Sequence, residues 1–108
     1  MNTGTIVLIP FPFAELTNIK VRPALVISTT KDKYQDLILC AISSVLPAKP
    51  GIFEMVVQPD RGNNLRVSSV IKIDRVVTLK KEDIITILGA ISIGETEQFK
   101  KKFKQLVD

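Results

Sequence analysis

The sequence contains no histidine among its 108 residues, and its only cysteine is Cys40. The lack of histidine excludes His-based catalytic triads, HExxH zinc sites and an imidazole general base. A single cysteine excludes an internal disulfide and any metal site built from several cysteines. Any chemistry that this chain performs must therefore come from other side chains.

Long apolar segments and a basic N-terminal segment are also lacking. No apolar run approaches the roughly 18 residues that a membrane-spanning helix requires. Residues 1–14 contain no lysine or arginine, and Pro10 and Pro12 interrupt their apolar stretch, so no secretory signal is expected. We therefore expect a cytoplasmic protein with no membrane partner.

The composition is typical of a globular protein. Apolar residues make up 45% of the chain and charged residues 24%, which excludes disorder, collagen and coiled coils. A chain of this size buries about two-thirds of its unfolded surface when it folds, which is enough for a hydrophobic core without a disulfide or metal. No linker or internal repeat divides the sequence, and we expect one domain over residues 1–108.

Short apolar segments rich in β-branched residues predict a series of closely spaced strands. These predicted strands lie at residues 5–9, 23–29, 37–43, 53–57, 69–79 and 86–91. Residues 69–79 are expected to form either one long strand or two strands joined by a kink near Asp74. Pro23 is expected at the first position of its strand, where proline is tolerated, and a bulge is expected at Val76-Val77, where the alternation breaks. Residues 14–21 are interpreted as a loop, and residues 82–85 as a single helical turn.

The last segment of the chain predicts a helix. Ser92 and Glu95 have the spacing of a capping box at its start. An apolar stripe follows on one helical face, formed by Phe99, Phe103, Leu106 and Val107, with lysines on the remaining surface. Closely spaced strands followed by one helix predict a mainly β fold, a small antiparallel barrel with a C-terminal helix.

Positive charge is concentrated in one part of the chain. The formal net charge is +4, yet residues 61–81 contain six basic residues and one acidic residue, Asp74, for a local net charge of +5. A basic segment on extended structure is typical of a phosphate-binding surface. It is equally typical of a surface that keeps the protein soluble, and charge alone leaves both interpretations open.

Polar residues at strand ends are the first candidates for chemistry. Arg22 lies at the start of the second strand, where its planar guanidinium can bind a phosphate through two hydrogen bonds. Ser43 and Ser44 end the third strand, where a hydroxyl can donate a hydrogen bond to a substrate oxygen. Each residue also fits an ordinary surface position.

Lys72 and Asp74 lie two residues apart on a predicted strand, so their side chains are expected on the same face. A neighbouring cation and carboxylate can serve as an acid–base pair or hold a phosphate. The alternative is a cross-strand ion pair of little energetic consequence. Cys40, inside an apolar strand, is expected to be a buried hydrophobic residue and not a nucleophile.

Taken in order, these motifs resemble those of the MazF/PemK family of toxin ribonucleases, the toxic half of type II toxin–antitoxin pairs. The similar features are an opening strand, an R-P-A-L-V motif, a third strand that ends in hydroxyl residues, an S-V-I-K-I-D motif and a C-terminal strand and helix. They lie at residues 4–13, 21–28, 39–44, 68–74 and 86–92, and with the final helix they cover nearly the whole chain.

The resemblance implies an SH3-like barrel, usually a homodimer, that cleaves single-stranded RNA at short sequences without a metal ion or other cofactor. It implies that Arg22, Ser43 and Asp74 are catalytic, at positions where the family has an arginine, a hydroxyl residue and an acidic residue. RNA contacts are expected from Lys72, where related proteins have arginine, and from Ser44, Arg75 and Arg66. The implied protein partner is a cognate antitoxin that occupies the RNA groove.

Other functions stay open from the sequence. A non-enzymatic toxin of the same barrel class, resembling the gyrase poison CcdB, would trap a protein target and cleave no RNA. A catalytically inactive barrel that only binds RNA would also be compatible with lysine at position 72 and serine at position 43. The R-P motif and Asp74 favour the ribonuclease.

Overall fold

Six strands and one helix make up the regular structure of residues 1–10 and 20–107, the part of the chain described by this computed structural model. The strands are β1 (Thr5–Pro10), β2 (Val21–Thr29), β3 (Leu37–Ser43), β4 (Glu54–Val57), β5 (Ser69–Leu79) and β6 (Thr86–Ala90). A 3-10 turn (Lys81–Asp83) precedes β6, and helix α1 (Ile93–Lys104) ends in a second 3-10 turn (Gln105–Val107).

All six strands join one antiparallel sheet in the order β4-β5-β3-β2-β1-β6. Consecutive strands of the chain are mostly neighbours in the sheet, as short connections require. The sheet curls into a half-barrel, and α1 packs against it. The predicted fold class, a small antiparallel barrel with a C-terminal helix, is confirmed.

The central strands are buried on both faces of the sheet. Four consecutive residues of β2, Ala24–Ile27, are buried, a pattern that requires both faces to exclude water. The inner face of the curl holds the larger apolar cluster, which includes Phe99 of α1. The outer face holds a smaller cluster of Val7, Ile9, Ala24, Val26, Leu37 and Leu39.

Helix α1 begins as predicted, because Ser92 and Glu95 form a complete capping box. Phe99 is buried and stacks on Phe103 with 5.7 Å between ring centroids. Val107, predicted on the same apolar face, is instead 89% exposed. The backbone tightens from α to 3-10 after Lys104, so each residue turns by about 120° and Val107 rotates away from the stripe.

Opposite edges of the sheet are connected by the loop that follows β4. This loop, residues 58–68, bonds to β6 at the other end of the strand order: Ala90 N donates to Gly62 O at 3.0 Å, and Asn64 Nδ2 donates to Leu88 O at 2.8 Å. These bonds are possible only because the sheet curls. They also satisfy part of the exposed edge of β6.

A buried asparagine shapes that loop from within. Asn63 is fully buried, and its Oδ1 accepts hydrogen bonds from the backbone N–H groups of Asp60 and Leu65 at 3.0 and 2.9 Å. Its Nδ2 donates to Gln58 O at 2.8 Å. Every polar atom of the side chain is therefore paired, which fixes the path of the backbone between β4 and β5.

Several predicted boundaries differ from the structure. Pro23 is the third residue of β2 and not the first, and Val21 belongs to the strand and not to a loop. Pairing of β2 with β3 begins only at Ala24. The N–H that proline lacks therefore removes no hydrogen bond between these two strands. The predicted helical turn is the 3-10 turn at Lys81–Asp83. Most of the predicted loop at 14–21 lies outside the described residues.

The predicted bulge in β5 exists, but at a different position. Ala41 of β3 pairs with Lys72, whereas the preceding residue, Cys40, pairs with Val76. The residues between these partners, Ile73–Arg75, therefore have no partner in β3. The bulge lies just before Val76-Val77 and not at it, because Ile73–Arg75 leave the ladder with β3 and the valines return to it.

No helix in the described parts of the chain has the length and apolar character needed to cross a membrane.

The contact between the 58–68 loop and β6 leaves no room for a side chain at Gly89. A Cβ at this position would overlap Gly62 O and lie 2.9 Å from the backbone carbonyl carbon of Asn63. We expect Gly89→Ala to lower the free energy of unfolding by about 1–3 kcal/mol, measured by urea denaturation.

The matched control is Gly94→Ala, because nothing lies within 4 Å of a Cβ at this helical position. We expect this variant to be unchanged or more stable by up to about 1 kcal/mol. Equal stability of the two variants would contradict the close contact between the loop and β6.

Candidate functional site

A cleft of about 540 Å³ opens on the outer face of the sheet, beside the smaller apolar cluster. Most of the predicted site residues line it, namely Arg22, Ser43, Ser44, Lys72, Asp74 and Arg75. These residues come from β2, β3, the turn after β3, and β5. The structure therefore brings together side chains that are as far as 53 positions apart in the sequence.

Strand register explains why they meet. Ala24 of β2 lies opposite Ala41 of β3, and Ala41 lies opposite Lys72 of β5. Directly opposed residues share a face of the sheet, and so do residues two apart in a strand. Arg22, two before Ala24, and Ser43, two after Ala41, therefore join Lys72 on the outer face.

Two alanines form part of the cleft floor. Ala24 and Ala41 both line the cleft, and their methyl groups leave space where the larger apolar residues of the same strands would fill it. Sequence analysis did not identify these residues as part of a site. The available signal was an alanine in each of two strands that are otherwise rich in leucine, isoleucine and valine.

The bulge in β5 lets Arg75 reach the cleft together with Asp74. Asp74 and Arg75 are adjacent, so in a regular strand their side chains would point to opposite faces. Both nevertheless line the cleft, because the bulge between Lys72 and Val76 removes them from the ladder. Asp74 is the one acidic side chain among the described residues that line the cleft.

The cations of the cleft are not neutralised by carboxylates in the described structure. Within residues 1–10 and 20–107, the single ion pair joins Lys100 and Glu97 on α1, at 3.9 Å. Lys72 lies opposite Glu54 in the register, but Glu54 Oε1 accepts a hydrogen bond from Gly51 N at 2.8 Å instead. The cross-strand ion pair considered for Lys72 is therefore not formed with a described residue.

Ser43 is oriented by the turn that follows it. Its Oγ accepts a hydrogen bond from Val45 N at 3.1 Å. A hydroxyl has one donor and two acceptor positions, so the proton of Ser43 can still be donated to a bound oxygen. This geometry suits a hydrogen-bond donor to phosphate.

A second cavity of about 350 Å³ adjoins the cleft. Leu8 lines this cavity and its neighbour Ile9 lines the cleft, so the two openings lie on opposite faces at the same end of the sheet. Arg22 and Ser44 line both. Arg66, predicted with the cleft residues, lines the second cavity and not the cleft.

The rest of the basic segment is not part of either opening. Arg61, Lys80 and Lys81 line neither the cleft nor the second cavity. The basic residues of segment 61–81 therefore form two groups: those that line the cleft or the second cavity, and those on the surrounding surface.

The chain matches the family model of PemK-like, MazF-like toxins of type II toxin–antitoxin systems over residues 2–107. It belongs to this family. The resemblance seen in the sequence motifs is thereby confirmed over nearly the whole chain. No curated protein sequence matches the chain significantly.

Solved structures place this MazF-like toxin in the same fold. An endoribonuclease in complex with its cognate antitoxin, from a mycobacterial species, superposes with a TM-score of 0.73 at 10% identity, covering 99% of this chain and 94% of the other. MazF from Deinococcus radiodurans superposes with a TM-score of 0.70 at 23% identity, covering 99% and 96%. At these identities the likeness establishes the fold.

Cys40 of this toxin takes no part in the cleft. It is fully buried, and burial raises the pKa of its thiol to about 12. No group of three or more histidine, cysteine, aspartate or glutamate side chains lies together among the residues that the structure describes. The expectation that Cys40 is a buried hydrophobic residue is confirmed.

The raised pKa of Cys40 makes the folded protein unreactive toward thiol reagents. We expect no labelling by Ellman's reagent at pH 8 in the native state and labelling of one thiol per chain after unfolding in urea, where the pKa returns to about 8.5. Because only the unfolded thiol ionises between pH 8.5 and 12, stability should also fall as the pH rises through that range. Rapid labelling of the native protein would contradict this burial.

Proposed function

We propose that this toxin is an endoribonuclease that binds single-stranded RNA in the cleft and cleaves it there. The observation that carries the proposal is the composition of the cleft: the cations Arg22, Lys72 and Arg75, without carboxylate partners among the described residues, lie with the Ser43 hydroxyl and the Asp74 carboxylate. Its membership of the toxin family supports the proposal. So does its fold likeness to a protein described as an endoribonuclease.

The reaction needs no nucleophile from the protein. The ribose 2′-OH attacks the adjacent phosphorus, the 2′-O–P bond forms, and the P–O5′ bond breaks. The products are a 2′,3′-cyclic phosphate and a 5′-OH. The protein must accept the proton of the 2′-OH and stabilise negative charge on the phosphoryl oxygens and on the leaving O5′.

Each cleft residue suits one of these tasks. Asp74 is the proposed general base for the 2′-OH. Arg22 donates two hydrogen bonds to the phosphoryl oxygens and stabilises the transition state. Because a guanidinium rarely releases a proton, we propose that the leaving O5′ takes its proton from water, and that the resulting hydroxide removes the proton that Asp74 accepted, which regenerates both groups.

The remaining residues position the substrate. Ser43 donates its hydroxyl proton to a phosphoryl oxygen, in the orientation set by Val45 N. Lys72 holds the neighbouring phosphate as a point charge, since an ammonium lacks the fork of arginine. Ser44 and Arg75 contact the flanking backbone.

Single-stranded RNA is the proposed substrate because a duplex could not reach this chemistry. A-form RNA hides its base edges in a deep, narrow groove, whereas a single strand can turn its bases out. In-line attack also requires a flexible backbone. We propose that cleavage occurs in the cytoplasm and needs no metal ion.

Partners follow from the same charges. We propose that residues 1–108 act as one domain within a homodimer, and that a cognate antitoxin inhibits the toxin by occupying the cleft. Carboxylates of the antitoxin would compete with phosphate for Arg22 and Lys72. An antitoxin-bound toxin that still binds RNA with unchanged affinity would contradict this overlap.

The decisive experiment is product analysis on a defined single-stranded RNA in the presence of EDTA. We expect fragments that end in a 2′,3′-cyclic phosphate and begin with a 5′-OH, at the same rate with and without EDTA. Binding without cleavage would instead indicate an inactive RNA-binding module. Absence of both would favour a toxin that acts on a protein target.

Removal of the Arg22 guanidinium tests its role in the transition state. We expect Arg22→Ala to lower kcat by roughly 100-fold or more, as for the loss of one transition-state donor. Arg22→Lys should retain intermediate activity, because it keeps the charge and loses the paired hydrogen bonds. Cleavage rates under single-turnover conditions provide the measurement.

Arg61→Ala is the matched control, because it removes the same charge from a residue that lines neither opening. We expect this variant to cleave RNA at the wild-type rate. Full activity of a folded Arg22→Ala variant would remove Arg22 from the mechanism.

A further inference from the structure

The second cavity meets the cleft at Arg22, Pro23, Ile42 and Ser44, which line both openings. If Arg22 binds the cleaved phosphate, that phosphate lies at the boundary between the two openings. The nucleotide on one side of it then faces the cleft, and the nucleotide on the other side faces the second cavity. Any role of this cavity in RNA binding therefore rests on the proposed function.

The walls of the second cavity are mainly apolar. They are formed by Leu8, Val21, Pro23, Ile42, Leu65, Val67 and Leu88. Val21 and Val67 are 47% and 53% exposed, so the structure leaves apolar surface open at the rim. Apolar walls with a few polar groups suit a flat aromatic ring better than a phosphate, which needs several donors.

Arg66 is the charged group added by the loop to this cavity. It forms no ion pair with any residue in the described ranges. The amide nitrogen of Asn64, another lining residue, is already bonded to Leu88 O at 2.8 Å. Ser69 Oγ likewise donates to Val67 O at 2.9 Å. Apart from Arg22, which the cavity shares with the cleft, the Arg66 guanidinium is thus the lining side chain with the most donors for a ligand.

The loop holds Arg66 at a defined position. Asn63 fixes the turn before it, and Asn64 ties the loop to β6, 24 residues further along the chain. Asn64 has a positive φ of 55°, a conformation that asparagine and glycine adopt most readily. Arg66 is therefore presented by a loop anchored on both sides of the curled sheet.

We propose that the second cavity is a base-binding subsite that takes the nucleobase next to the cleaved phosphate, and that Arg66 is its specificity-determining residue. An arginine reads an edge with two adjacent acceptors through paired hydrogen bonds, and the O6/N7 edge of guanine provides such a pair. The subsite therefore selects guanine at one position adjoining the cleavage point.

The experiment compares two arginines of the same loop. Wild type, Arg66→Ala and Arg61→Ala are each incubated with a randomised single-stranded RNA pool, and the fragments with a 5′-OH are sequenced. We expect wild type and Arg61→Ala to prefer guanine at one position adjoining the cut. In Arg66→Ala the preference for guanine at that position should be about ten-fold weaker.

Kinetics on one guanine-containing substrate separate recognition from folding. We expect Arg66→Ala to raise KM by about ten-fold with little change in kcat, and to show wild-type thermal unfolding. A substrate with adenine at that position should be cleaved equally by wild type and Arg66→Ala. Equal losses in Arg66→Ala and Arg61→Ala would indicate general charge attraction and overturn the proposal.

Asn64→Gly tests the anchoring of the loop. Glycine accepts the positive φ and removes the bond to Leu88 O, so the variant should fold and should lose part of the guanine preference, with Arg66 intact. An unchanged preference in both Arg66→Ala and Asn64→Gly would overturn the proposal. So would a change of oligomeric state in Arg66→Ala without a change in base preference.

The outcomes distinguish the subsite from the function on which it rests. If wild type yields no cyclic-phosphate products, the proposed ribonuclease itself is rejected. If wild type cleaves RNA and Arg66→Ala cleaves the pool with the same preference, the ribonuclease stands and the subsite is rejected.

Discussion

The alignment of β2 with β3 is the constraint on which the candidate site depends. Ala24 opposite Ala41 places Arg22 and Ser43 on the same face and leaves a space beside them. A shift of one residue between these strands would flip one strand relative to the other, so Arg22 and Ser43 would no longer share a face. The hydrophobic pattern of the two strands therefore fixes the geometry of the cleft along with the fold.

A cluster of cations without carboxylate partners in the described structure has an energetic consequence. Arg22, Lys72 and Arg75 line one cleft with a single described carboxylate, Asp74, so positive charge exceeds negative charge there and the like charges repel. Glu54 is in register with Lys72, but it bonds to a backbone N–H instead of relieving this repulsion. An anion that enters the cleft gains the attraction that the protein leaves unsatisfied. The cleft therefore favours an anionic ligand over a neutral one.

The loop between β4 and β5 relates the stability of the sheet to the shape of the site. The same loop that bonds to β6 contributes Leu65 and Arg66 to the second cavity. Asn63, which lines neither opening, fixes the path of this loop from a fully buried position. Residues outside the second cavity can therefore influence its shape by holding its wall in place.

Much of the fold could be predicted, because local rules decide it. Alternating and continuous apolar segments located the strands, and the capping box located the start of α1 at Ser92. The position of the bulge could not be predicted, since it depends on which residue of β3 pairs with Val76. Val107 was assigned to the buried stripe because an ideal helix was continued past Lys104, where the backbone changes to 3-10.

By itself, the sequence determined the toxin family and the antiparallel fold, since the motifs of the family appear in order along the chain. It also determined the residue types available for chemistry, since it contains no histidine. Only the tertiary structure decided that Ala24 and Ala41 open the cleft, that Asp74 and Arg75 both reach it, and that Arg66 lies in a separate cavity. The physical reason is that local patterns specify strands and faces one at a time. Strand register, a bulge and the curl of the sheet specify which faces meet.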